Sequence, residues 1–298
     1  MSERSVQVII DPGGDFMVQK ENVLLRIETL KNSFTKTETR IATFVLENPG
    51  KVIYMSLTEL SDALKVSEGS IVRFCQKIGF QGFHPFKIAM AIAESPYKSD
   101  SSGISDPENL TELKSYVANR YVDVIRDTSE FISEETLRDC VASITSAKTI
   151  LLAGVGASGN TAQDAFYKFM RIGLNFKYSS DAHLQAMMAS QLSKADMLMA
   201  ISQSGSTLEI VDIANIARGA GCTVMSVTGY ARSPLAKVSD HVLLTPTRET
   251  PFESGAIRSK VAQLYVLELL FMAVFQKIRT SGQKSIEKTA RAVAKWIY

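Results

Sequence analysis

The chain has 298 residues, 45% hydrophobic and 21% charged, with a formal net charge of +2. That balance fits a globular chain of about two domains with a real core, and it neither demands nor excludes nucleic acid as a partner. Three cysteines, Cys75, Cys140 and Cys222, stand far apart, which excludes a disulfide framework and zinc spacing and reads as buried thiols in a reducing compartment.

Residues 1–20 carry charges, Pro12 and paired glycines but no apolar run of signal-peptide length, and read as a poorly ordered extension. From Glu21 apolar residues return at helical spacing. Val23, Leu24, Ile27 and Leu30 form one stripe; Ile41, Ala42, Phe44, Val45 and Leu46 line a second helix over 37–47, ended by Asn48-Pro49-Gly50. Residues 52–54 read as a connector. Ser56 and Glu59 make a capping box before a short helix, with Leu57, Leu60 and Leu64 on one side and small Ala63 admitting a close neighbour. Val66 plugs a tight turn, Ser67 caps the next helix, and Ile71, Phe74, Cys75 and Ile78 form its buried side. Two short helices around such a turn are the pattern of a helix-turn-helix.

The outer face of that second helix presents Ser67, Glu68, Gly69, Ser70, Arg73, Gln76 and Lys77, the candidate DNA-contacting set. Arg73 suits a bidentate bond to guanine O6 and N7, while Lys77 and Lys87 suit phosphates. Phe80, Phe83 and Phe86 read as packing beneath the helix, and His84 as a surface histidine without a partner at metal spacing. A run rich in Ser, Asp, Gly and Pro then marks a linker over 96–109, closing a helical domain at 21–95.

Residues 110–298 alternate between helix and strand patterns. Helices at 110–131 and 134–144 precede strand-like runs at 149–153, 175–178, 196–201, 223–227 and 241–244. Helices are expected at 160–171, 183–192, 208–218, 234–238 and 256–278, then an amphipathic tail with Ile286, Ala290, Val293 and Ile297. Gln263 and Glu268 interrupt the longest apolar run, 261–275, so it is not a membrane span, and the chain is expected in the cytoplasm. Five strands with interleaved helices imply a doubly wound parallel sheet whose ligands sit beyond the C-terminal strand ends.

Two loops fall at those ends. In Ser202-Gln203-Ser204-Gly205-Ser206-Thr207, four hydroxyls and a flexible glycine crowd the start of a helix, where unpaired N–H groups and a partial positive charge favour an anion. Gly154-Val155-Gly156-Ala157-Ser158-Gly159 fits the dinucleotide fingerprint, with Asp181 near the place of a ribose-binding acid. Asp181 nevertheless lies three residues past its strand, and a dinucleotide has no use for the second loop. Ser158 and Ser204 on neighbouring strand ends suit one small phosphorylated ligand instead.

On these two loops the C-terminal part resembles a sugar isomerase (SIS) domain. With Val66-Ser67-Glu68-Gly69-Ser70-Ile71-Val72-Arg73-Phe74 and Gly79-Phe80-Gln81-Gly82-Phe83, the chain from Glu21 onward resembles the RpiR family of bacterial transcriptional regulators. Ser179-Ser180-Asp181-Ala182-His183-Leu184-Gln185 and Ser259-Lys260-Val261-Ala262-Gln263-Leu264 also look like family segments, with Lys260 where an arginine is common. The resemblance implies an all-α helix-turn-helix domain followed by an α/β SIS domain with a five-stranded parallel sheet. It implies a homo-oligomer, dimer or tetramer, that binds double-stranded operator DNA and senses a phosphosugar. The candidate ligand set is Gly156, Ser158, Ser202, Gln203, Ser204, Gly205, Ser206, Thr207, His183 and Glu253. By the resemblance Ser158, Ser202, Ser204 and Thr207 hold the phosphate, and His183, Gln185 and Glu253 meet sugar hydroxyls. No cofactor, metal or catalytic residue is expected. The alternatives are a sugar-phosphate isomerase recruiting Glu253 and His183, and a repressor that senses a dinucleotide.

Overall fold

The computed structural model describes residues 23–94, 109–247 and 257–296. The expected extension, the expected linker apart from Asn109, and Glu253 lie outside the described residues. Contacts divide the chain into two compact units, Met1–Lys98 and Ser99–Tyr298.

The first unit is helical: α1 (Val23–Thr29), α2 (Lys36–Glu47), α3 (Pro49–Val52), α4 (Leu57–Leu64), α5 (Glu68–Lys77) and α6 (Phe83–Glu94). Capping boxes start α2 at Thr35 and Glu38 and α4 at Ser56 and Glu59. Helix α2 stops at Glu47 with Asn48 as its C-cap, as expected, and Pro49 then opens the short α3, because proline at the first helical position needs no N–H. No element is named from sequence over 83–94, where α6 runs; Pro85 sits in its first helical turn, where proline is tolerated. The core of this unit is mainly aliphatic, with Ile27, Ile41, Leu60 and Ile71 fully buried, and an aromatic cluster is set into it. Phe74 is fully buried and meets Phe34 at 5.4 Å and Phe86 at 6.4 Å between ring centroids, with Phe80 against Phe86 at 5.7 Å. Such pairs add about 0.5–1.5 kcal/mol each beyond their buried area. Ala63 is exposed, so it does not admit a neighbour as expected; buried Thr58 meets α5 instead, donating to Glu68 Oε1 at 2.7 Å.

The second unit opens with α7 (Leu110–Phe131) and α8 (Glu134–Ser146) and continues as an alternating α/β fold. Its strands are β1 (Ile150–Ala153), β2 (Phe176–Tyr178), β3 (Met197–Ile201), β4 (Thr223–Thr228) and β5 (His241–Leu244), all parallel, in the order β2-β1-β3-β4-β5. Between them run α9 (Gly156–Met170), α10 (Ala182–Ala189), α11 (Leu208–Gly219) and α12 (Pro234–Val238); α13 (Ile257–Lys277) and α14 (Arg279–Val293) follow. Every residue of β1 and β3 is buried, as in a sheet covered on both faces. Ile150 and Leu152 of β1 join a core with Phe169 of α9 and Leu267 and Leu270 of α13. Leu151 and Ala153 turn the other way, into a core with Ile210, Ile213 and Ala217 of α11. Among the described residues no single helix is long and apolar enough to cross a membrane.

Candidate functional site

Helix α5 is closed at its start by a hydroxyl: Ser67 accepts from the Ser70 N–H. Thr35, Ser56, Ser133 and Ser233 do the same for α2, α4, α8 and α12. Helices α9 and α11 differ. The Val155 side chain has no hydrogen-bonding group, and Thr207 makes no cap bond. Both helices leave the C-terminal ends of β1 and β3, adjacent strands between which the chain order reverses. This is the switch point where doubly wound sheets bind ligands, and two helix ends with uncapped first-turn N–H groups lie side by side there.

The β3–α11 loop is a tight turn. Ser202 stays in the ladder through Val227 O at 3.0 Å, and its carbonyl accepts from the Gly205 N–H at 3.0 Å. Gly205 has φ +59°, and a Cβ there would collide with Ser233 Oγ and come within 2.8 Å of Thr228 Oγ1. Gly154 is equally constrained, since its Cβ would lie 2.8 Å from Ser158 O, so glycine lets α9 start against the strand end.

The hydroxyl protons of these loops are not equivalent. Ser206 donates to Ser204 O at 3.2 Å, while Ser204 Oγ accepts from the Ser206 N–H at 3.2 Å. Ser202 Oγ and Thr207 Oγ1 are 3.1 Å apart, so one donates to the other and one proton remains. Ser158 Oγ accepts from Gln263 Nε2 at 3.2 Å. Among the described residues, the protons of Ser158, Ser204 and one of the Ser202–Thr207 pair have no acceptor. Hydroxyls in that state can donate to an anion without help from lysine.

Other residues named from sequence occupy different places. Gln203 is tied to the end of β5: its Nε2 donates to Thr245 O at 2.9 Å and Thr247 Oγ1 at 2.8 Å. Gly156 is exposed with φ +58° and opens α9. His183 is exposed in the first turn of α10. Gln185, expected to meet sugar hydroxyls, is fully buried; its amide bonds both Gly154 N and O, and Ser179 O. It holds the β1 loop in place. Asp181 caps α10 through Leu184 N at 2.7 Å, a role unlike that of a ribose-binding acid.

On α5, Gly69, Arg73 and Gln76 are exposed, and Arg73 donates to Ser70 Oγ at 3.2 Å. Two lysines expected at DNA phosphates are otherwise engaged. Lys77 donates to Ser33 O at 2.7 Å and pairs with Glu38 at 2.8 Å, which holds the Glu38 carboxyl below its usual range. Lys87 donates to Met55 O at 2.8 Å, and burial pushes its pKa down to about 8. Both ammonium groups brace the helical unit.

Comparison with known proteins settles the family. The rpiR-family helix-turn-helix domain model matches residues 21–96, and the SIS domain model matches 143–273. An uncharacterized HTH-type transcriptional regulator from Caldanaerobacter subterraneus subsp. tengcongensis is 38% identical over 275 residues, 92% of this chain and 97% of its own. The chain belongs to the RpiR family of transcriptional regulators. Vibrio vulnificus NanR, solved in complex with ManNAc-6P, is 30% identical to the regulator with a TM-score of 0.81, covering 93% of this chain and 99% of that one. The sugar isomerase domain of an RpiR transcription factor from Sphaerobacter thermophilus shares the fold at 19% identity and a TM-score of 0.56, covering 60% of this chain and 99% of its own.

The regulator thus joins a DNA-reading module to a SIS module, the arrangement of a transcription factor that answers to sugar phosphates. Gln263, absent from the candidate set, reaches both loops from α13: besides Ser158 it donates to Gln203 Oε1 at 3.4 Å. The signal was in the sequence, since Gln263 breaks an apolar run. The three cysteines are free and buried, with burial pushing Cys75 and Cys140 up to about 12 and Cys222 to about 11. A separate cavity of about 390 Å³ lies between α7, α9 and α13, lined by Ile125, Phe169, Leu264 and Tyr265 beside the Lys168–Glu268 ion pair.

Proposed function

We propose that the effector is a 6-phosphorylated amino sugar, held by its phosphate on Ser158, Ser202, Ser204 and Thr207, and that its arrival changes the regulator's affinity for operator DNA. The observation that carries this is the pair of uncapped helix ends at the switch point, with hydroxyl protons left without acceptors. NanR, similar over nearly its whole length, was solved with a ligand of this class. His183 and Glu253 are proposed to meet the sugar, and Ser67, Gly69, Ser70, Arg73 and Gln76 the DNA. Glu68 and Lys77 act indirectly, by placing α5 on α4 and α2.

The protein works in the cytoplasm as a homodimer or larger assembly, reading two half-sites. Leu113, Val117 and Val122 on α7 and Met272 on α13 are exposed apolar residues suited to such pairing. Helix α13 packs on α7, with Tyr265 donating to Ser129 Oγ at 3.0 Å, and α7 is the first described element after the DNA-reading unit. A tenfold change in operator affinity needs about 1.4 kcal/mol of differential effector binding.

The test is retention of a duplex selected from a random library, titrated with N-acetylmannosamine 6-phosphate. The expected result is a shift of at least about tenfold in DNA affinity, with the sugar phosphate recovered unchanged. Conversion of the sugar with DNA binding unaffected makes the protein an isomerase; displacement of DNA by NAD(H) makes it a dinucleotide sensor. Arg73→Ala is expected to cost about 1–3 kcal/mol on the selected duplex and to relax one base pair. Equal loss on every duplex would make Arg73 a phosphate contact.

A further inference from the structure

We infer that Gln263 sets the direction of the Ser158 hydroxyl and thereby makes the β1 loop selective for an anion. This rests on the anion-site reading above and adds the residue that enforces it. The polarity of the network follows from its one fixed end. Thr245 O is a backbone carbonyl and can only accept, so the Gln203 atom beside it, at 2.9 Å, is the amide nitrogen. Gln203 Oε1 therefore faces the other way. It accepts from Thr245 Oγ1 at 3.0 Å and, at 3.4 Å, from the Gln263 atom opposite, which must be nitrogen. That same Gln263 nitrogen meets Ser158 Oγ at 3.2 Å and supplies its second hydrogen there. Ser158 is forced to accept, and its single proton is left for a ligand.

Gln263 is 1% exposed and has no room to turn over without setting two acceptors against each other. The chain of bonds runs from Thr245, just past β5, through Gln203 of the β3 loop and Gln263 of α13 to the β1 loop, so Ser158 is polarised from one backbone carbonyl. Gln263 is a positioning residue: it acts on the ligand through Ser158.

Gln263→Glu keeps the size and reverses the polarity. A carboxylate at this place accepts the Ser158 hydrogen bond and repels an anion; once protonated, it is neutral and has one O–H to share between Ser158 Oγ and Gln203 Oε1. Sulfate is the probe, because its charge does not change between pH 5 and pH 8, and binding is followed by calorimetric titration of the full chain. The wild type is expected to bind sulfate equally at both pH values. Gln263→Glu is expected to bind at least about tenfold more weakly at pH 8 and to gain at least about threefold in affinity at pH 5. Gln263→Met, which holds Ser158 in neither direction, is expected to bind a few-fold more weakly at both pH values. Wild-type affinity in Gln263→Glu at pH 8 overturns the inference, and if that variant does not fold, unchanged affinity in Gln263→Met does so. A wild type that takes up neither sulfate nor N-acetylmannosamine 6-phosphate overturns the anion-site reading itself, and the role of Gln263 with it.

Discussion

The starts of α5 and α11 are built from the same residue types and do opposite things. At α5, Ser67 caps the backbone and bonds Ser70 Oγ, Glu68 is held by Thr58, and Arg73 folds back on Ser70. Around it Lys77 and Lys87 are drawn into the same unit. At α11 the cap bond is missing, and Ser204 and one of the Ser202–Thr207 pair keep a proton without an acceptor. The difference teaches that serine at a helix start is no indicator of ligand binding by itself. What matters is whether the local fold already satisfies the hydroxyl, and backbone shape decides that. Gly205, in the left-handed region against Ser233 and Thr228, turns the loop so that Thr207 misses its own helix.

The comparison breaks most severely at that glycine. Gly205→Ala is expected to cost about 3–5 kcal/mol of stability in the second unit, from strain and overpacking together, and to abolish effector binding. Urea denaturation and titration with N-acetylmannosamine 6-phosphate check both; a stable, binding variant would show that the turn does not shape the site.

Next in size is the buried ammonium of the first unit. Its pKa lies near 8 in the folded chain against 10.5 for an ordinary lysine. Below pH 8 both folded and unfolded chains carry the charge, and burial counts against the fold. Between pH 8 and 10.5 the unfolded chain binds the proton that the folded chain has lost, so stability rises with pH, by at most about 3 kcal/mol. Denaturation at pH 8 and pH 10 should show this rise in the wild type and not in Lys87→Met; a rise of the same size in the variant would assign it to another group.

A matched pair of serine variants sharpens the contrast directly. Ser204→Ala should lose about 1.5–3 kcal/mol of effector binding with an unchanged unfolding midpoint. Ser67→Ala should do the reverse, losing about 1 kcal/mol of stability with effector affinity intact. Loss of stability in the first and of affinity in the second would erase the distinction between an open and a closed helix start.

The strands were legible to within a residue; burial on both faces turns β1 and β3 into unbroken apolar runs, while the short edge strand β2, with exposed Lys177 at its centre, and the half-buried β5 were legible from the alternation of helix and strand patterns around them. Helix α9 begins four residues earlier than expected, since the glycine fingerprint is itself the first helical turn. The features that escaped are closures over long sequence separations. Lys87 finds Met55 O 32 residues away, Gln185 finds Gly154 across 31, and Gln263 finds Ser158 across 105. Composition and periodicity report which residues face inward, not which partner waits there. Lysine in a basic stretch reads as surface, and glutamine in an apolar helix reads as an interruption, until the fold brings an acceptor to each.

On the proposed function, the two helix ends recognise the phosphate group rather than the sugar ring. Titration of the wild-type regulator with N-acetylmannosamine 6-phosphate and with N-acetylmannosamine tests it most directly. The phosphorylated sugar is expected to bind at least about 100-fold tighter, a difference of about 2.7 kcal/mol. Equal affinity for the two sugars would contradict it.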